Sequence, residues 1–574
     1  MKSNSVNVLT ALAISLLTAL CAVSFSSCSD KVYEELNTDP TKAPEINPAL
    51  QLSHAALQLY GDMNYVDVHR LYTYAFTQQL MGCWNTTNYG GQHRMDDNEM
   101  ARPWNNLYVG AIRNLTDGIE RTKDDSMQVN VHAAMRILRV YVGGLLTDYY
   151  GDVPFSEAGL AYINGNSKPK YDTQEELYKA FFTELKEAAK LFDVQKEAIT
   201  SDPIFDGDIE HWKAFANSLR LRYAMRISDV AALQTLAKNE FNEALNSAMA
   251  SAADNACVKH MNISYSFGQE SYKDFRGNAL AKYFYGNDPV NNPTYICQTL
   301  WEQLYNNNDP RTNLLCRFYI DDFLSISTGE GRIDITEEVM ARQAVDAKTV
   351  YVIAPGEFSW DNWPNYNAGA AAGSSLAKKL AEIQSAHPDY NPEKDPRWLM
   401  PKLAANFLRS DNPGVLMTYA EVCFLRAEAA VLGWTADNAK SYYEAGVRAA
   451  MDFLAQQYDC AAITDADYAT YMGQSGIAFA ADGDTQKKQI NTQAWILHFH
   501  NPAECWSNLR RSDYPALTAP KPDGKNPLID GNEIPVRLCY PLKEETYNKE
   551  EYDKAKSRVT GTYDWHARLW WDVK

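Results

Sequence analysis

Apolar residues recur along this chain at the three- and four-residue spacing of a buried helix face, and one long stretch breaks that rhythm. Between Asn47 and Asp62 the apolar positions Leu50, Leu52, Ala56, Leu57 and Leu59 mark an amphipathic helix. Pro103 sits where a helix start tolerates its missing N–H. Trp104, Leu107, Tyr108, Ala111, Ile112, Leu115 and Ile119 then follow at helical spacing. A second helix is predicted from Met127 to Tyr149, with Ala134, Ile137, Leu138, Tyr141, Val142 and Leu145 as its stripe. Short Lys/Asp-rich punctuation separates the two, so they should form an antiparallel hairpin.

The pairing recurs. Glu175 to Phe192 is followed by Ile209 to Ile227, and Thr418 to Leu432 is followed, across Gly433-Trp434-Thr435, by Ala436 to Tyr458. In the last pair small residues (Ala420, Ala427, Ala429, Ala445, Ala449) alternate with large ones (Leu425, Tyr442, Tyr443), which lets helices stack closely in the tetratricopeptide manner. The period is too irregular for strict tandem repeats. The expected fold is mainly α: a tetratricopeptide-like scaffold of helix pairs with long irregular loop insertions. Between about residues 257 and 413 Asn, Gly, Pro and Asp clusters replace the helical pattern, as in Asn308-Asp309-Pro310-Arg311. Insertions on a rigid scaffold are where binding residues concentrate.

The amino-terminal end reads as an address. Lys2 precedes an apolar run from about Val6 to Phe25, the pattern of a signal peptide, and Phe25-Ser26-Ser27-Cys28 resembles a bacterial lipobox. Residues 1–27 are therefore expected to be removed, Cys28 to be lipidated, and residues 28–46 to act as a tether. Acyl chains of that kind hold a soluble domain on a membrane. Residues 47–574 are expected to form a single domain. An ordinary cleaved signal, with Cys28 incidental, is the plainer alternative.

Charge narrows the partners. The formal net charge is −19, and without residues 1–27, which carry Lys2 and no acid, it becomes −20. Such a surface disfavours nucleic acid and anionic lipid and accepts neutral ligands such as sugars. Beyond Cys21 and Cys28, the cysteines are Cys83, Cys257, Cys297, Cys316, Cys423, Cys460, Cys505 and Cys539, widely spaced and mostly in apolar context. Buried thiols fit them better than a metal or catalytic set.

No HExxH, GxSxG, Walker loop or EF-hand spacing occurs, and no nucleotide or redox cofactor or metal is indicated. His498 and His500 fall on different sides of a helix, and the pairs Asp465/Asp467 and Asp482/Asp484 suit helix starts better than calcium. What stands out is aromatic and amide clustering: 35 Tyr, 13 Trp and 20 Phe in all, with two dense stretches in loop-like sequence. One runs from Cys83 to Gln92, with Trp84, Asn85 and Tyr89. The other runs from Phe358 to Asn367, with Trp360, Asn362, Trp363 and Tyr366. A sugar ring offers an apolar face for an aromatic ring and a hydroxyl rim for amides. The competing reading of each ring is a plug that fixes a loop to the scaffold.

Ordered blocks across the chain then resemble the SusD/RagB family of surface nutrient-binding lipoproteins. They are Glu35 to Pro40, Trp104 to Tyr108, Leu146 to Ala158 (LTDYYGDVPFSEA), Trp212 to Arg226, Met417 to Glu428, Ile490 to Trp495, Arg510-Arg511 with Tyr514-Pro515, and Ile534 to Pro541. The resemblance implies an outer-membrane, surface-exposed lipoprotein seated over a TonB-dependent, SusC-like transporter, taking oligosaccharides or, in some cases, peptides. It implies binding rather than catalysis. A surface glycosidase needs only two suitably spaced carboxylates, so it stays as the remaining alternative. Ligand residues vary within this family, so the candidate residues rest on the aromatic clustering alone. Gly151 and Pro154 are expected to end a helix and redirect the chain.

Overall fold

Caps chosen by the sequence start the helices. The computed structural model describes residues 46–82, 84–263, 274–285, 294–321, 332–358, 370–386, 388, 391, 396–520 and 533–574. Residues 1–27, expected to be a signal sequence, and Cys28 lie outside them. Pro48–Lys574 form one compact unit. Its principal helices are α1 (Pro48–Gly61), α2 (Arg113–Thr122), α3 (Val129–Tyr150), α4 (Gln174–Leu191), α5 (Ile209–Arg226), α6 (Gln234–Ala244), α7 (Tyr419–Val431), α8 (Ala439–Tyr458), α9 (Gly483–Leu497), α10 (Pro502–Ser512) and α11 (Lys549–Ser557). Thr173 and Glu176 close a capping box on α4, and Asp208, Thr418, Asn438, Asp482 and Asn501 each accept a backbone N–H at the start of a helix.

Helices adjacent in sequence pack against one another: α2 with α3, α3 with α4, α4 with α5, α5 with α6, and α7 with α8; α7 also packs on α9. The mainly α, helix-pair fold is as expected. The α7–α8 approach is so close that a Cβ on Gly446 would stand 2.6 Å from the Phe424 ring. The tight pairing there needs a residue without a side chain. The helix from Pro103 is less regular than its spacing suggests. Arg102–Leu107 is α-helical, Tyr108–Ile112 makes a π turn, and α2 then resumes.

α3 ends at Tyr150. Gly151 takes φ +96°, and β2 (Val153–Pro154) then pairs with β3 (Tyr171–Asp172), Val153 opposite Asp172. The loop-rich stretch is pinched at its base. β4 (Ala256–Val258) enters it and β6 (Gly414–Met417) leaves it, antiparallel, with Val258 opposite Gly414 and Cys257 opposite Val415. Within it, Gln298–Tyr305, Thr336–Val345 and Ser375–Ala386 are helical, more order than the composition predicts. Their apolar faces (Leu300, Trp301, Leu304; Val339; Leu376, Leu380, Ile383) supply burial that outweighs the surrounding turn formers.

A buried ionic spine crosses the helix stack. Arg222 on α5 holds Glu421 on α7 through two hydrogen bonds of 2.6 and 2.7 Å and donates to Leu416 O at 2.8 Å. One turn on, Arg226 reaches Glu504 at 2.6 Å and Asp148 at 3.2 Å, and Asp148 accepts from Tyr178 and Trp571. Arg511 grips Glu428 at 2.7 and 2.9 Å. Each ion has its counterion within hydrogen-bond reach, the condition under which buried charge is tolerated.

The thiols of Cys257, Cys297, Cys316, Cys423 and Cys505 are free and buried, and those of Cys460 and Cys539 are free and half-buried; Cys83 lies outside the described residues. His498 faces Glu421 at 3.4 Å, whereas His500 stacks on Tyr458 with centroids 4.7 Å apart. Asp482 caps α9, with Asp484 in its first turn, and Asp465 and Asp467 lie in the first turn of the Asp465–Met472 helix.

Candidate functional site

Gly82, the residue before the first aromatic stretch, meets Phe358, the first residue of the second, at a backbone joint. β1 (Leu80–Met81) pairs with β5 (Tyr295–Ile296), Met81 opposite Tyr295, and Gly82 then forms a bridge with Phe358. Phe358 opens the second stretch, and Gly82 lies two residues before Trp84. Gly82 takes φ +100°, and a Cβ there would stand 2.7 Å from both Ile353 and the Tyr295 ring. A side chain would therefore be both strained and crowded at the joint. Beneath it Ala75, Met81, Tyr295, Cys297, Ile353 and Met400 form a small separate apolar cluster. Burial pushes the Cys297 thiol up to about 12, so it stays protonated and unreactive there.

Side chains lock the joint. Gly82 N donates to Thr87 Oγ1 at 3.0 Å, and Thr87 Oγ1 donates to Glu357 O at 3.2 Å. Gln92 Nε2 donates to Gly356 O. Glu357 accepts from Tyr351 Oη at 2.5 Å and from Ala354 N at 3.0 Å, holding the turn that leads to Phe358.

The first stretch differs from its expected loop form. Trp84–Thr86 is a helical turn continued by a π turn over Thr87–Gly91. It packs on the π turn His69–Thr73, so closely that a Cβ on Gly90 would stand 2.7 Å from Leu71 O. Packing here outweighs the low helix propensity of Asn, Thr and Gly. Asn85 is half-buried. With its amide oxygen turned to Arg70, it accepts from both terminal guanidinium nitrogens at 3.0 and 3.2 Å. Arg70 in turn lies 4.5 Å over the Tyr283 ring and 2.7 Å from Asp67.

Tyr89 is half-buried, edge-on to Tyr72 at 6.1 Å, with the Arg94 guanidinium 5.3 Å from its centroid. Partial burial, and then the nearby Glu99 and Asp96, push its hydroxyl above the usual tyrosine range. It therefore remains a neutral donor at physiological pH. Asn88 Nδ2 and Gln92 Oε1 are buried without a hydrogen-bond partner among the described residues. Trp84 belongs to the helical turn, while Trp360, Asn362, Trp363 and Tyr366 lie outside the described residues. Arg70 and Tyr283 give no signal in sequence, because both reach this face only through tertiary packing.

A cavity of about 550 Å³ adjoins the joint, between the Gln298–Tyr305 helix and residues 515–518, with Pro355 on its rim. A larger one, of about 830 Å³, lies at the carboxy-terminal segment. Charged pairs line it: Arg558 with Asp152, and Arg568 with Asp572. Among the described residues no group of three His, Cys, Asp or Glu side chains is placed to hold a metal ion. Nor is any helix there long and apolar enough to cross a membrane.

Comparison with known proteins adds to this geometry. Residues 40–331 match a SusD-like family described as starch-binding and associating with the outer membrane, and residues 374–572 match one described as SusD and RagB outer membrane lipoprotein. A solved Bacteroidetes AC2a SusD-like structure shares 71% identity at a TM-score of 0.88, covering 92% of this chain and 100% of its own. A solved chitin-binding protein shares 29% identity at a TM-score of 0.72 over 92% of this chain and all of its own. A SusD homologue from Bacteroides fragilis, 20% identical with a TM-score of 0.64 over 92% of this chain and all of its own, has the same fold. No curated protein sequence matches the chain.

Proposed function

Because the chain belongs to the SusD/RagB family of outer-membrane lipoproteins, we propose that it captures oligosaccharides at the cell surface and passes them, uncleaved, to a SusC-like TonB-dependent outer-membrane transporter. The observation that carries this reading is the Gly82–Phe358 bridge. It joins the residue preceding one aromatic and amide-rich stretch to the first residue of another, more than 270 residues apart in sequence. Rings from both would cover the apolar faces of a sugar chain, and Asn85 and Asn362 would pair with its hydroxyl rim.

Two further facts support a neutral glycan. The family description names starch, and one solved relative is a chitin-binding protein. The formal charge of −19 repels anionic ligands and leaves neutral ones unaffected. Each stacked ring adds about 0.5–1.5 kcal/mol beyond its burial, so two or three give the weak, reversible hold that hand-over requires. Acylated Cys28, followed by the residue 29–46 tether, would keep the domain at the membrane without a spanning helix.

The test is a binding panel on residues 29–574, with malto-oligosaccharides, chito-oligosaccharides and peptides at low and high ionic strength, each mixture assayed for new reducing ends. Saturable sugar binding that is insensitive to salt, without cleavage, is the expected result. Binding only to peptides, weakening as salt rises, would keep the transport role and replace the ligand. Release of reducing ends would overturn the binding-only reading.

A further inference from the structure

The cavity beside the joint carries a single charged residue in an acidic protein. Of the residues lining its 550 Å³, Glu302 alone carries a charge, and its carboxylate accepts from Gln298 Nε2 at 2.6 Å. The rest of the polar lining is amide and hydroxyl: Gln78, Thr299, Gln303, Asn306, Asn307 and Thr518. Thr299, Gln303 and Asn306 stand at i, i+4 and i+7, so one helix face presents them together. Pro355, Pro515 and Leu517 provide the apolar side.

Gln78 sets the polar wall. It is buried, its backbone is held at φ +54°, and its amide is spent at both ends: Nε2 donates to Thr518 O at 2.6 Å and Oε1 accepts from Thr299 Oγ1 at 2.8 Å. A non-glycine residue in that backbone region is unfavourable and persists where its surroundings demand it, a feature that concentrates at ligand sites. The Gln303 and Asn306 side-chain amides make no hydrogen bond among the described residues and are left for solvent or ligand. The volume falls within the roughly 300–1,000 Å³ range of small-ligand clefts. The cavity also shares a turn with the joint: Pro355 lines it, while the next residue, Gly356, accepts the Gln92 side chain.

We infer that this cavity is a second subsite for the same neutral glycan, taking sugar units beyond those held at the Gly82–Phe358 joint. The inference rests on the glycan reading above. Amides without formal charge pair with hydroxyls acting as both donors and acceptors, and the proline and leucine faces meet ring C–H groups. Longer oligosaccharides should therefore bind more tightly than short ones, and that gain should depend on Gln303 and Asn306.

The experiment is calorimetric titration of residues 29–574, wild type and Gln303→Ala/Asn306→Ala, with malto- and chito-oligosaccharides of two to eight units. Both side chains reach solvent, so the fold should survive; a thermal unfolding trace checks it. The wild type should gain about tenfold in affinity with length, as two added neutral hydrogen bonds allow. The double variant should lose that gain while binding the shortest ligand equally well. An unchanged length dependence in the variant would overturn the subsite alone. Failure of the wild type to bind any oligosaccharide would instead remove the glycan reading, and this subsite with it.

Discussion

Replacing Glu421 with Gln should destabilise the scaffold by about 3 kcal/mol at neutral pH, and most of that loss should vanish in acid. Burial on its own would raise the Glu421 carboxyl, but Arg222, with His498 beside it, outweighs burial and holds it down to about 2 against an ordinary 4.5. At roughly 1.4 kcal/mol per tenfold, that separation amounts to about 3 kcal/mol of folding free energy. The folded value lies below the unfolded one, so this stability is fully present above about pH 4.5 and is lost as pH falls towards 2. At pH 3 only about 1.4 kcal/mol of it should remain. Gln keeps the size of Glu421 while leaving Arg222 buried without its bidentate counterion. Denaturant unfolding followed by tryptophan fluorescence, run at pH 7 and pH 3 on both proteins, reads the difference. A loss below about 1 kcal/mol at pH 7, or an equal loss at the two pH values, would refute the assignment of the Arg222–Glu421 pair as a main tie between α5 and α7.

Other changes probe separate links. Gly446→Val would drive a side chain into the Phe424 ring, 2.6 Å from the added Cβ, and should lower stability by about 1–3 kcal/mol in thermal or denaturant unfolding. Gly82→Ala, at φ +100° and against Ile353 and Tyr295, should cost about 1–3 kcal/mol and weaken glycan affinity severalfold, because it displaces the joint itself. Trp360→Ala/Trp363→Ala should abolish retention on immobilised glycan while leaving the far-ultraviolet circular dichroism unchanged; full retention would exclude the second stretch from the site. Cys28→Ala should move the protein from the membrane to the soluble fraction and end its labelling by a fatty-acid analogue.

The helix pairs were legible because spacing and caps agree. Asp208, Thr418 and Asn438 stand where the apolar stripes of α5, α7 and α8 begin. The helical rhythm fades after about residue 257, and β4 and β6 pair with one another on either side of residues 259–413. The π turns at Tyr108–Ile112 and Thr87–Gly91 were not legible, since one extra residue per turn barely alters local periodicity. The Trp84 stretch looked like a loop because Asn, Thr and Gly favour loops in isolation. Its contacts with His69–Thr73 are tertiary and leave no trace in spacing. The same holds for the Gly82–Phe358 bridge: clustering showed that each stretch is unusual, and only the fold shows Gly82 paired with Phe358. The polar face of Thr299, Gln303 and Asn306 was available as a helical stripe, but the turn formers around it hid the helix.

The most direct test of capture at this joint is photo-crosslinking of a diazirine-bearing oligosaccharide to residues 29–574, followed by mass-spectrometric mapping of the labelled peptides. Labels confined to Trp84–Gln92, residues 358–367 and the neighbouring cavity, and suppressed by excess unmodified sugar, are the predicted result. Competable labels elsewhere on the molecule, with none at the joint, would contradict it.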